Sequence, residues 1–215
     1  MKLEQFSRMA NGTDTEVLTH ATIDHDLLHG IMRSSMELQV STIIMGWPGQ
    51  GKMAGKFFEP FISRMLQVQD KEMAFCHFPN PLTTIKRLVC WIPDHANIDP
   101  SVLKWQSMLK EMADQRQHPY LALPFKSLND GDQQGDSEHK IRHSDLLILF
   151  SAREGSLSWD PQLTDLPDIL YRKHPKNNLM VLLPGSGAYT SRYSSYQDFD
   201  SSLLHPHSLL KRRTN

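Results

Sequence analysis

The chain has 215 residues, 39% of them hydrophobic, with 23 Lys and Arg against 24 Asp and Glu and a formal net charge of −1. This is enough apolar material for one large domain or two small ones, and the charge balance excludes a basic field that would gather nucleic acid or anionic lipid. No run approaches 18 apolar residues, so no helix of this chain is expected to span a membrane, and a soluble molecule is predicted.

The N-terminus, MKLEQFSRMANGTDTE, is polar and lacks the apolar centre of a signal peptide. "EVLTHATID", from Glu16 to Asp24, leans towards a strand. Leu27, Leu28, Ile31, Met32, Met36 and Leu38 then recur near helical spacing. His20, Asp24, His25 and Asp26 form the densest group of metal-ligand types, and His25 and His29 are four apart. The glutamate of an H-E-x-x-H motif is missing and the group falls at a strand-to-helix turn. It therefore reads as a helix start capped by Asp24, with no metal. "QVSTIIMG" is a β-branched run ending in glycine, and "FFEPFISRML" returns to helical spacing with Pro60 expected in its first turn. "EMAFCHF" is a continuous apolar run closed by "PNP".

Strand, glycine turn, helix, strand is the pattern of a parallel sheet with crossover helices, and it restarts. "KRLVCWIP" is a strand, "DPSVLKWQSMLKEMADQ" an amphipathic helix with Asp99 as N-cap and Pro100 at its first position, and "HPYLALPF" another strand. "KSLNDGDQQGDSEHK" reads as a mobile loop. "SDLLILFS" and "NNLMVLLPGSG" are strands about the helix "DPQLTDLPDILYRKH". In both halves a strand runs into a small-residue turn (IIMGWPGQG; LILFSAREGS), a helix follows, and a last strand closes on proline. The Ser- and Tyr-rich tail from residue 188 reads as a surface arm. Cys76 and Cys90 lie within apolar strand runs, which predicts buried thiols and a reducing compartment. Trp47, Trp91, Trp105 and Trp159 are not interleaved with basic residues, so they read as packing residues. No catalytic Ser-His-Asp or Cys-His arrangement is supported, and "PGSGA" at Pro184 reads as a chain turn.

"GWPGQGKM" has the spacing G-x-x-x-x-G-K of a phosphate loop, except that Met53 stands where a hydroxyl residue should hold magnesium. Gly46, Gly49 and Gly51 could present backbone N–H groups to phosphate, and Lys52 could add charge. No aspartate suitably ends a strand to assist a metal, which ranks a triphosphatase last. A ligand-free turn and a nucleotide loop without hydrolysis both stay open.

The run "THATIDHDLLHGIMRSSMELQVSTIIMGWPGQGK" resembles the C-terminal half of a universal stress protein domain, and more closely the cytoplasmic tail of bacterial cation/proton antiporters, which carries two such domains in tandem. The resemblance runs from about Glu16 to Gly187. It implies an α/β fold with a Rossmann-like parallel sheet and flanking helices, arranged as a degenerate tandem repeat. Residues 1–80 would be the C-terminal part of a first repeat, 81–187 a second, degenerate repeat, and 188–215 the tail. In some family members the pattern G-x-x-G-(nine residues)-G-S/T binds an adenine nucleotide. Gly46 and Gly49 match its first two glycines, whereas Glu59 and Pro60 stand at the third glycine and the hydroxyl. The second half keeps only Gly155, and Pro93 occupies the place of the family's adenine-side aspartate, with Asp94 one residue late.

The resemblance implies a non-enzymatic regulatory or assembly domain on the cytoplasmic side of the inner membrane. Its partner would be the membrane transport domain of the same polypeptide, into which the N-terminal side of this chain would continue, and AMP, ADP or ATP would be the ligand class. Pairing through last strands, as a homodimer or internal pseudo-dimer, is expected. A free-standing nucleotide-binding universal stress protein is the alternative, and a P-loop-type triphosphatase the third reading.

Overall fold

The computed structural model describes residues 18–46, 54–94, 99–129, 140–153, 163 and 165–185. The chain divides into two compact units, Met1–Gln39 and Val40–Asn215. In the first, helix α1 spans Leu27–Glu37. Its cap is Asp26 rather than Asp24: the Asp26 carboxylate accepts from the His29 backbone N–H at 2.9 Å, and that bond holds its pKa below the ordinary carboxylate value. Asp24 instead accepts from the His25 N–H at 2.8 Å and pairs with Arg33 at 3.3 Å. Arg33 also donates to the Thr22 hydroxyl and to the Ile23 carbonyl. The strand expected over Glu16–Asp24 is not formed in its described part. Leu18 and Ile23 are 78% and 94% exposed, and without a neighbouring strand a β-leaning run has no ladder to join.

The second unit is built on one six-stranded sheet: β1 Thr42–Gly46, β2 Glu72–His77, β3 Arg87–Ile92, β4 Tyr120–Pro124, β5 Asp145–Phe150 and β6 Asn178–Leu183, in the order β1-β2-β6-β5-β3-β4. Among the described residues it also holds helices α2 (Ala54–Val68), α3 (Pro100–Gln115), the single turn α4 (Lys126–Asn129) and α5 (Leu166–Lys173), with a 3-10 turn at Leu82–Thr84. The boundary read at residue 80 falls inside this sheet, between β2 and β3. Each element follows from its residues. The Asp99 side chain accepts from Val102 N at 3.4 Å ahead of Pro100, where the missing proline N–H would have been unsatisfied in any case. Pro60 lies in the second turn of α2, not the first, because that helix begins at Ala54. A helical turn occupies the start of the predicted mobile loop, and residues 130–139 of that loop lie outside the described residues.

The sheet is mostly parallel, with one exception. β1 with β2, β6 with β5, β5 with β3, and β3 with β4 run parallel, while β2 and β6 are antiparallel, Phe75 opposite Val181 at the centre of the seam. Each half leaves its last strand at its own edge. Both strands are too apolar for solvent, and the antiparallel seam covers both. The passages β3→β4 and β5→β6 lead away from each other along the sheet, so right-handed crossovers put α3 and α5 on opposite faces. Under α3, Val102, Leu109 and Ala113 pack with Ala74, Cys76, Leu88, Cys90, Leu146, Ile148, Phe150 and Leu182. On the other face Phe75, Val89, Trp91, Leu147, Leu149 and Val181 are no more than 4% exposed. Burial on both faces explains why these strands read as unbroken apolar runs. β1 departs from that expectation, since it is an edge strand and its Ile44 is 69% exposed.

Cys76 and Cys90 are buried free thiols, and burial pushes their pKa values up to about 11 and about 12. At pH 8 the thiolate fraction is then on the order of 10⁻³ or less. Native protein should react with iodoacetamide far more slowly than protein in urea, and equal rates would show that these strands open readily.

Candidate functional site

Two places correspond to the ligand loop that the sequence suggests, one in each of the stretches 1–80 and 81–187 that the sequence reading takes as first and second repeat. In the first, Gly46 ends β1 and α2 starts at Ala54. A Cβ at Gly46 would meet nothing within 4 Å. Gly49, Gly51 and Lys52 lie outside the described residues. β1 is the edge of the sheet, so among the described residues no strand beyond it walls a crevice at its carboxyl end.

In the second repeat the topology is the reverse. Chain direction diverges between β3 and β5, and in open α/β sheets the carboxyl ends at such a switch point are where ligands bind. Here Pro93, Phe150, Ser151 and Ala152 are buried, and Ser151 N donates to Leu182 O at 2.8 Å. Asp94 is exposed beside them.

The next residue, Arg153, turns away from that position towards the first repeat. Its Nε donates to Pro184 O at 2.9 Å, one terminal nitrogen to Leu66 O at 2.8 Å and Gln69 O at 2.5 Å, and the other to Lys71 O at 2.6 Å. Three of these carbonyls belong to the C-terminal end of α2 and its exit, where the helix dipole favours a cation. Burial lowers the guanidinium pKa and nearby Asp70 opposes that shift, but a guanidinium remains charged in either case. The seam is tight here. A Cβ at Gly185 would lie 3.0 Å from Asp70 O, so only glycine fits without displacement.

Matching the two six-residue last strands end to end, Glu72 with Asn178, carries Thr42 onto Leu146 and Gly46 onto Phe150 through the register of each parallel pair. Continued along the chain, this puts Gly49 on Arg153 and Gly51 on Gly155. The glycines and the switch-point crevice, which a nucleotide site needs together, are thus divided between the repeats. Phe150 and Arg153 occupy the places of the first two glycines where the crevice exists.

Outside these loops the charged clusters are structural. Arg87 and Asp145 pair in the interior at 3.0 and 2.6 Å, at the amino ends of β3 and β5, opposite the carboxyl ends where the switch point lies. His29 Nδ1 lies 2.7 Å from Asp26 and His20 lies 3.8 Å from Glu37, and no group of three metal-ligating side chains occurs among the described residues. Trp91 is buried and Trp105 packs against the α3 core. Trp47, Trp159, His205 and His207 lie outside the described residues. Sequence reasoning missed Arg153 and the Arg87–Asp145 pair. An arginine directly after a fully apolar strand, and an aspartate opening one, were the available signals.

No family model matches the chain, and no curated protein matches it. Solved structures do. A functionally unknown protein from Pseudomonas aeruginosa PAO1 is similar at 11% identity with a TM-score of 0.54, over 85% of this chain and 77% of that one. A candidate universal stress protein from Pseudomonas aeruginosa UCBPP-PA14 is similar at 10% identity with a TM-score of 0.52, over the same shares. At such identities the likeness is one of architecture, and the chain has a universal stress protein-like α/β fold. No helix among the described residues is long and apolar enough to cross a membrane.

Proposed function

We propose that the chain is a non-enzymatic regulatory and assembly module of universal stress protein type, working as the cytoplasmic part of a cation/proton antiporter. The observation that supports assembly over catalysis is Arg153. The loop that would close on a ligand in the second repeat is bonded through this residue to three backbone carbonyls across the seam and to Pro184 O on its own side. The joined last strands β2 and β6 make the two repeats an internal pseudo-dimer in this reading. The antiporter assignment rests on the sequence resemblance alone. Its ligand would be an adenine nucleotide at Gly46, Gly49, Gly51 and Lys52, held on an open edge and without turnover.

Titration calorimetry with AMP, ADP and ATP should give affinity no tighter than about micromolar, roughly −8 kcal/mol. Magnesium should change it little, because Met53 offers no hydroxyl. Turnover with strict magnesium dependence would favour a triphosphatase. Cell fractionation tests the antiporter context: the chain should sediment with membranes and resist a salt wash. Recovery wholly in the supernatant would replace this reading with a free-standing universal stress protein, which the likeness to the candidate universal stress protein favours.

A further inference from the structure

Helix α2 passes into β2 through Gln69, Asp70 and Lys71 alone. None of the three is glycine, so the left-handed residue that commonly closes a helix end has no obvious candidate here. The carbonyls of a last turn still need donors once they are withdrawn from water. Arg153 supplies them. Its terminal nitrogens donate to Leu66 O, Gln69 O and Lys71 O, which lie 82 to 87 residues earlier in the chain. The end of α2 is therefore capped from another part of the sequence.

What the guanidinium holds is main chain throughout. A bond to a side chain can survive a helix shift through a rotamer change, whereas a bond to a carbonyl must follow the backbone, and a planar fork aimed at four carbonyls leaves little play. The holder is itself fixed. Arg153 follows the buried exit of β5, where Ser151 N donates to Leu182 O at 2.8 Å, and its own Nε donates to Pro184 O at the exit of β6. Gly185 presses on the same passage from β6, its Cβ position 3.0 Å from Asp70 O. Met65, in the last turn of α2, is fully buried.

We propose that Arg153 is a latch that couples α2 to the exit of β5. While it is closed, the last turn of α2, the entry of β2 and the exits of β5 and β6 move as one body; when it is released, the passage from α2 to β2 opens by itself. The sheet centre need not open with it. The bonds of Arg153 are only partly buried and lie at one end of the seam, so the ladder that pairs Met73–His77 with Leu179–Leu183 can stay shut. Such an opening is local, with a free energy below that of global unfolding. The latch depends on neither a nucleotide nor the antiporter context. Its use in a regulatory module is direct, since a displacement of α2 is felt at the exit of β5, and by linkage the reverse.

Native-state hydrogen exchange on the full chain tests the latch from both sides. Arg153→Lys keeps the cation but not the fork. In it the Gln69 and Glu72 amides, which donate to Met65 O and Ser41 O, should exchange at least about tenfold faster, the consequence of losing even one charge-assisted bond. Val89 and Leu147, at the centres of β3 and β5, should not change. From the other side, Met65→Ala loosens the last turn of α2 and should speed exchange at Ser151. That effect should vanish when Arg153→Lys is also present, because the connection is already broken. Far-UV circular dichroism checks folding, and Met65→Val serves as the milder change if Met65→Ala does not fold. Unchanged protection at Gln69 and Glu72 in Arg153→Lys overturns the proposal. So does a loss shared equally by Val89 and Leu147, which would make Arg153 a general stabiliser, or an effect of the Met65 change on Ser151 that is the same with and without Arg153.

Discussion

Replacing Arg87 with methionine should destabilise the protein by about 3–5 kcal/mol, the cost of stranding a buried charge. Asp145 is 1% exposed and Arg87 5%. Their two contacts, at 3.0 and 2.6 Å, are supplemented by Arg142 N donating to Asp145 at 2.7 Å and by Arg87 donating to Lys140 O at 2.7 Å. Without the guanidinium the carboxylate keeps one backbone donor and no counter-charge. Asp145→Leu leaves the opposite charge buried and should cost a similar amount. The double replacement, Arg87→Met with Asp145→Leu, should recover most of the loss, because two apolar side chains of similar size need no partner. Urea unfolding of the four proteins gives the coupling directly. Losses that simply add would mean that the pair is not an energetic unit.

The buried strands were legible because burial on both faces leaves an unbroken apolar run, as in "LVCWI", "LLILF" and "LMVLL". Their direction was not legible. Composition is the same whichever way a strand points, so the antiparallel β2–β6 seam could only be found in three dimensions. The exposure of β1 was hidden for a related reason: "STIIMG" reads alike at an edge or in the centre, and what differs is the neighbour. At α1 two aspartates two residues apart competed for the cap, and Arg33, nine residues beyond Asp24, decided between them. For the candidate site, spacing marked the two loops and read the second as degraded, but gave no sign that Arg153 bonds to the carbonyls at the end of α2. Arginine after "FSA" looks like a surface residue until the carbonyls from Leu66 to Lys71 are brought beside it.

The contrast between the exits of β1 and β5 gives the other large expected effect. Phe150 is fully buried in the α3 core at the position that corresponds to Gly46. Phe150→Ala should cost about 3–5 kcal/mol, from lost transfer energy and from a cavity that a tightly bonded sheet cannot close. Gly46→Ala should change stability by no more than about 0.5 kcal/mol, since the added methyl meets open space. The pair of values, read from urea midpoints at unchanged slope, compares the packing at the two strand exits. At the exit of β5 the corresponding residue is part of the core. At the exit of β1 it is bare. A large loss at Gly46 would mean that its loop is closely packed, and the open first-repeat site would then have to be abandoned.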